Sequence, residues 1–333
     1  MIKFSKTILV TGIVIYAAIA LIPLLTNDQF LLSSMIFVLV FALFAAAWDI
    51  GYGIAGIINL GPGVAYGVGS YFFVYFALAH YPPWLAFLGA ATIASLTGFI
   101  FWIPSIRTSG SYLAIVTLIL LLLVGEIALG QTGEEGISAG IGYYAPTLVQ
   151  SYYATLALAF AGSLFLFFLS YSRFGLRLKA MRDDEVAAKA VKINVYFYKL
   201  VTLVLSSFFL GISGASTALF INHGHFDYGI FGITTNFLGI VVSVIGGPAT
   251  IFGSIIGSLI VELPANYLTS YSTYAVIAYG ATMVLAMLFL RSGILNAVVS
   301  LTRGFANRRK PTQELGAQGE ETKQKAPTIK TTG

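Results

Sequence analysis

Nine long apolar runs divide this sequence, and they constrain it more than any other feature: Ile8–Leu25, Phe30–Trp48, Ile54–Ala79, Leu85–Ile103, Tyr112–Leu129, Tyr152–Tyr171, Leu200–Ile221, Asn236–Val261 and Tyr274–Leu290. About 20 mostly apolar residues suffice for a helix to cross a bilayer. Charged residues make up 9% of the 333, against about a quarter in soluble domains. So few charges cannot cover the surface of a water-soluble globule of this size. A cytosolic enzyme, a secreted disulfide scaffold and a disordered chain are therefore excluded. The expected fold class is all-α, a polytopic helical membrane protein. The 35 glycines suit it, since membrane helices use glycine freely. The chain has no Cys, which removes disulfides and thiolate metal sites.

The charges are clustered. Of 18 Lys and Arg, seven lie between Ser172 and Lys199 and eight from Arg291 onward; the others are Lys3, Lys6 and Arg107. Basic loops beside spans mark the cytoplasmic side. This clustering fits a membrane, not nucleic acid, as the partner of the net +5 charge. The N-terminus, the 172–199 loop and the C-terminal tail are accordingly placed inside a multi-pass cell-membrane protein. No small-residue cleavage site follows the first run, so it reads as an uncleaved helix. With both ends inside, the crossings must be even in number, and nine is odd. The run 236–261 contains Gly246-Gly247-Pro248 at its centre, and proline breaks the helical ladder there. It is read as two half-helices in a re-entrant hairpin entered from outside, beside eight full crossings. Residues 1–302 then form the membrane domain, and the polar stretch 303–333 a disordered cytoplasmic tail.

A short motif occurs twice. Gly61-Pro62 is followed by Tyr66-Gly67, and Gly247-Pro248 by Phe252-Gly253, both reading Gly-Pro-x-x-x-aromatic-Gly. Glycine- or proline-interrupted segments in two halves point to a transporter's substrate path. Irregular backbone at membrane depth is tolerated only where protein or a wet cavity meets it. Gly61, Pro62, Tyr66, Gly67, Gly246, Gly247, Pro248 and Gly253 are the candidate path residues.

The 172–199 loop is too polar to span. From Leu178 to Val191 it has neither Gly nor Pro, and Leu178, Met181, Val186 and Ala190 fall near helical spacing. It reads as an amphipathic helix, lying either on anionic lipid or against a cytosolic partner. Asp183, Asp184 and Glu185 sit between its basic residues. Glu185, Ala187 and Ala188 followed by Ile193-Asn194 resemble the coupling loop of ABC importer permeases. Further stretches resemble the branched-chain amino acid permeases of the LivM and LivH type, a group that includes carriers of urea and short amides. They are Gly51-Tyr52-Gly53-Ile54-Ala55-Gly56, Asn59-Leu60-Gly61, Gly67-Val68-Gly69-Ser70-Tyr71, Arg107 to Ile115, Thr132-Gly133 with Gly136-Ile137, Arg173-Phe174-Gly175, Tyr198-Lys199-Leu200, and Gly246-Gly247 with Gly253 and Gly257. Two positions depart from that pattern: Pro62 stands where the family usually has His, and Lys192 where it usually has Gly.

The resemblance implies a permease subunit of an importer for branched-chain amino acids or similar small polar solutes. Its implied partners are two cytosolic ATPase subunits, a second, related permease and an extracytoplasmic solute-binding protein. Asp184, Glu185, Ala187, Ala188, Ile193 and Asn194 would couple it to the ATPases. The chain has no Gly-x-x-x-x-Gly-Lys-[Ser/Thr] loop, so ATP is expected on those other chains and no cofactor on this one. An ion-coupled secondary transporter is the alternative; it would want carboxylates at the broken helices, and none adjoins Pro62 or Pro248 in sequence. No hydrolase constellation is visible, so no enzyme is expected. His223, His225 and Asp227 could supply three metal ligands; a polar loop explains them equally, and no metal is expected. Asp49, Glu126 and Glu262 fall near segment ends, where an interfacial position is expected. Trp48, Trp84 and Trp102 fit an aromatic belt.

Overall fold

The structure, a computed structural model, describes residues 2–269 apart from 109, 134 and 140–145. The candidate span Tyr274–Leu290, the basic stretch from Arg291 and the tail 303–333 lie outside the described residues. The helices are α1 (Ile2–Ala20), α2 (Ile22–Leu25), α3 (Gln29–Asp49), α4 (Gly63–Leu78), α5 (Pro83–Arg107), α6 (Ser111–Thr132), α7 (Leu148–Tyr171), α8 (Arg173–Asp183), α9 (Glu185–Ala190), α10 (Val195–Ser216), α11 (Ile233–Gly246) and α12 (Gly253–Thr269). π-helical turns extend α3 through Ile50–Ile54 and α10 through Thr217–Ile221. Two short strands, β1 (Ile137–Ser138) and β2 (His225–Phe226), pair antiparallel and join two loops.

Among the described residues, six helical stretches are long and apolar enough to cross a membrane. The chain is thus a polytopic helical membrane protein. α3 and α10 are buried around most of their surface and form the centre. In a lipid solvent it is polar side chains that turn inward, and those of α10, among them Thr202, Ser206, Ser207 and Ser213, are buried. α1 and α6 are largely exposed and lie at the periphery. Their outward side chains, among them Val14, Ile115, Ile119 and Leu123, are apolar, as a lipid solvent requires. Two of the helix starts beside this apolar band are closed by side chains. Asp28 Oδ1 accepts from Phe30 N at 2.9 Å. Thr147 and Gln150 form a reciprocal capping box at the start of α7.

Three sequence expectations need correction. The run Ile54–Ala79 breaks at Gly61-Pro62 as expected, but the break is longer than two residues: α3 continues through Ile54, residues 55–62 are non-helical, and α4 starts at Gly63. The loop helix expected over Leu178–Val191 is two helices, because Asp184 adopts φ −156° and caps α9. Trp48 does not lie in an aromatic belt. It is buried, stacks on Tyr52 with ring centroids 4.5 Å apart, and donates from Nε1 to Asn59 O at 2.7 Å. Asp49 and Glu262 are likewise buried, whereas Glu126 is exposed.

The expected hairpin is present. α11 and α12 are half-helices, and their register is set by glycine. A Cβ on Gly257 would stand 2.0 Å from Val242 O, and one on Gly246 would stand 2.2 Å from Gly253 O. These two pairings run in opposite directions along the chain, so α12 folds back along α11. α11 is about 21 Å long, too short to cross a hydrocarbon core of about 30 Å. A second close approach joins α4 to α10: a Cβ on Gly214 would meet Tyr66 O at 1.8 Å, and one on Gly69 would meet Gly211 O at 2.3 Å. Backbone cannot yield there as a flexible side chain would. Gly214→Leu should therefore lower the chain's stability by about 3 kcal/mol or more, read as a lower unfolding midpoint in detergent; an unchanged midpoint would refute this crossing.

Candidate functional site

The region of interest has three layers: the α8–α9 loop, the segment 49–63, and the α11–α12 hairpin. The loop is built by caps. Ser172 Oγ accepts from Phe174 N and Gly175 N to start α8. Asp184 Oδ1 accepts from Val186 N at 2.8 Å and Ala187 N at 3.0 Å to start α9. Asn194 Oδ1 accepts from Phe197 N at 3.1 Å to start α10. Leu178 and Met181 point into the chain, so α8 is fastened by its apolar face.

The six coupling candidates divide by role. Asp184 and Asn194 are exposed helix caps. Glu185 faces back to the chain: its carboxylate bonds Lys199 Nζ and Lys189 Nζ, each at 2.9 Å. Ala188 is buried, and Ile193 is half-buried. Only Ala187, with the unpredicted Val186, Ala190 and Val191, opens outward; Val186 and Val191 are 77% and 70% exposed. In sequence, Ala187 and Ala188 cannot be told apart. Their difference comes from where α9 is pinned by Glu185 and Lys199.

Partial burial raises the Glu185 carboxyl, but hydrogen bonds from Lys199 and Lys189 outweigh that and hold it below its usual range. Lys189 is raised by the same bond. Lys192, at the family's usual glycine position, takes φ 61°, the left-handed region. That is a physical reason for glycine there, and Lys192 bears the strain in its absence.

The path candidates occupy two helix interruptions held by different neighbours. At the first, Asn236 accepts from Gly63 N through Oδ1 and donates to Leu60 O through Nδ2, both at 2.8 Å. Thr117 Oγ1 accepts from Leu60 N at 2.9 Å, and Asn59 Oδ1 from Gly61 N at 2.8 Å. Pro62 caps α4 with φ −61°, which proline's ring favours. Tyr66 is buried, 2.6 Å from Thr217 Oγ1. At the second, Gly247 takes φ 115°, and Ala249 and Ile251 also have positive φ. The shared motif is not one structural unit: a helix starts one residue after Pro62 but five after Pro248. All eight candidates are buried except Pro248, which is partly open. A Cβ on Gly67 would meet the Phe231 ring at 2.2 Å, and one on Gly253 would meet Thr250 Oγ1 at 2.2 Å and Gly246 O at 2.4 Å. Both positions are small to permit contact within the chain.

Asp49 is the residue that sequence reasoning misplaced. Its Oδ1 accepts from Ala249 N at 2.8 Å and its Oδ2 from Ile251 N at 3.2 Å. A carboxylate therefore does meet the turn containing Pro248, although it lies about 200 residues away in sequence. Its nearest signal was Gly53: a Cβ there would stand 2.1 Å from Asp49 Oδ1 and 2.3 Å from Ala249 N. On the other side of the segment, Arg182 Nη1 donates to Gly53 O at 2.6 Å, and its Cγ would lie 2.6 Å from a Cβ on Gly56. A polar cavity of about 190 Å3 opens here, lined by Gly56, Ile58, Thr108, Arg182, Asp184 and Lys199 among others. Among the described residues no three His, Asp or Glu side chains converge as metal ligands. Asp227 instead caps a turn through Gly229 N at 2.8 Å.

Comparison with known proteins agrees with this architecture. Residues 30–290 match the family model described as branched-chain amino acid transport system / permease component. The chain is similar to LivM, the high-affinity branched-chain amino acid transport system permease protein of Escherichia coli K12. The two are 25% identical over 292 residues, covering 77% of this chain and 68% of LivM. It is also similar to LivH of the same organism, 26% identical over 296 residues, covering 77% of this chain and 91% of LivH. LivM of Salmonella typhimurium matches at 25% identity with the same coverage as the first. No solved structure matches the chain.

Two outcomes follow from the loop. Lys192→Gly should stabilise the chain by about 1 kcal/mol by relieving the left-handed backbone, measured as a rise in unfolding midpoint; a fall would contradict it. The Glu185 carboxyl is depressed on folding, so its contribution is present at neutral pH and lost as pH falls through its folded value, below the ordinary carboxylate range. Amide exchange of α9 should accelerate on acidification, and Glu185→Gln should abolish that pH step.

Proposed function

Because this chain belongs to the family of branched-chain amino acid transport system permease components, we infer that it is the membrane-spanning permease subunit of an ATP-driven importer of branched-chain amino acids. The observation that carries the coupling part of this reading is α9. Its inner face is anchored through Ala188, Glu185 and Lys199, and its outer face presents Val186, Ala187, Ala190 and Val191 to solvent. Exposed apolar side chains on a capped, polar-flanked helix outside the apolar band are what a protein partner covers. The sequence has no phosphate-binding loop, and in this reading ATP is bound by two separate ATPase subunits.

LivM and LivH, named as permeases of one kind of system, are both similar to this chain. A second permease of related sequence is therefore part of the proposed assembly, with an extracytoplasmic binding protein delivering solute. The basic loop and N-terminus are assigned to the cytoplasm by their charge. The interruptions at Gly61-Pro62 and Gly247-Pro248 are proposed to flank the solute's route.

Ala187→Trp should weaken ATPase association about tenfold or more, since overpacking a fitted contact costs about 1–3 kcal/mol and 1.4 kcal/mol is tenfold. Folding should be unaffected, because Ala187 is exposed. Ala188→Trp should instead destabilise the chain itself. Co-purification and ATP-dependent leucine uptake in vesicles test this. Normal association and uptake with Trp at 187 would remove α9 as the docking element. A Cys introduced at 187 should react with an impermeant reagent only when the inner face is exposed; labelling of intact cells would reverse the orientation.

A further inference from the structure

The segment 49–56 touches the loop on one side and the hairpin on the other. On the hairpin side, Asp49 holds Ala249 N and Ile251 N, two residues whose positive φ gives them no stable alternative to being held. On the loop side, Arg182, the last basic residue of α8, donates to Gly53 O. Gly53 and Gly56 are the places where these neighbours come closest, and neither has room for a side chain. The backbone between Asp49 and Gly53 is a π-helical turn, a strained form that recurs at functional sites. Asp184, which starts α9, is two residues from Arg182. An unbroken series of bonds therefore runs from the proposed ATPase-facing helix to the tip of the re-entrant hairpin.

We propose that this junction passes movement of the α8–α9 loop to the hairpin tip during transport, with Arg182 and Asp49 as its two positioning residues. A displacement of α8 pulls on Gly53 O through the guanidinium. The π turn carries Asp49 with it, and the carboxylate carries the 249–251 turn. Neither residue needs to touch solute or ATPase. The role rests on the importer reading above, but the connection itself is a property of this chain alone. The warrant is physical contact rather than spatial intermediacy, and contact of this kind is tested by coupling measurements.

The first measurement is hydrogen exchange on the full chain in lipid nanodiscs. Arg182→Ala should speed exchange of the 249–252 amides by about tenfold, as loss of a charge-assisted bond would, although the substituted residue lies on the opposite side of the junction. Arg182→Lys, which keeps a donor, should restore part of the protection. Unchanged exchange at 249–252 in Arg182→Ala overturns the proposal, whatever the transport activity. The second measurement is leucine uptake per ATP hydrolysed in the assembled transporter. Asp49→Ala and Arg182→Ala should each lower that ratio about tenfold, Asp49→Asn less, and the double variant no further than the worse single, as for groups in one series. Losses that multiply overturn it. Should Asp49→Ala fail to insert, the partly exposed Arg182 side chain still gives both readouts. A wild-type assembly without leucine uptake, together with faster tip exchange in Arg182→Ala, would sink the importer reading and leave the junction standing.

Discussion

Inside a bilayer every backbone N–H and C=O must find its partner within the protein, and the architecture of this chain follows from how it meets that demand where helices stop. Helices satisfy themselves. Residues 55–62 and 247–252 do so only in part, and each is completed by side chains brought from far along the chain. Asn236 and Thr117 serve the first, Asp49 the second. These few polar residues sit among apolar helices at fixed places because a lost bond there exposes an unpaired group to a medium with nothing to offer it. Positions that would otherwise be interchangeable among Leu, Ile and Val are thereby locked into one arrangement.

Glycine supplies the complementary constraint. Gly69 against Gly211, Gly214 against Tyr66, and Gly246 against Gly253 bring backbones within reach where hydrophobicity gives no preference for one helix face over another. Lipid tails are as apolar as leucine, so close fit has to substitute for the hydrophobic effect between membrane helices. The polar bonds and the glycine approaches coincide at Gly53, where one missing methyl group admits both Asp49 and Ala249.

Much of this was legible in the sequence. Apolar run length predicted the helices, and Gly246-Gly247-Pro248 predicted the hairpin, because both signals are local. The junction between α8 and α9 was missed because Asp184 can either continue a helix or cap one, and the choice depends on Glu185 reaching Lys199. The break at Gly61-Pro62 in the third run was legible, but its extent back to residue 55 was not, because Ile57, Ile58 and Leu60 are apolar and only the distant Asn236 shows why their backbone need not be helical. Asp49 and Trp48 were assigned to the interface by position, yet their partners, Ala249 and Asn59, turn them inward. Which side chains of the α8–α9 loop face outward was not legible residue by residue, since burial of Ala188 and exposure of Ala187 differ by a single rotation along α9.

The bridge made by Asn236 also sets a schedule for biosynthesis. Leu60 and Gly63 leave the ribosome long before Asn236, which is 176 residues beyond Leu60. At about 5–20 residues per second the wait is about 9 to 35 s. Through that interval the 60–63 backbone lacks its final partner, and so does the carboxylate of Asp49. The early helices must therefore wait in a hydrated or assisted setting, and the α4 entrance closes only when the hairpin arrives. In this chain the late-made segment completes the early one, so insertion and folding cannot proceed strictly from the first helix to the last.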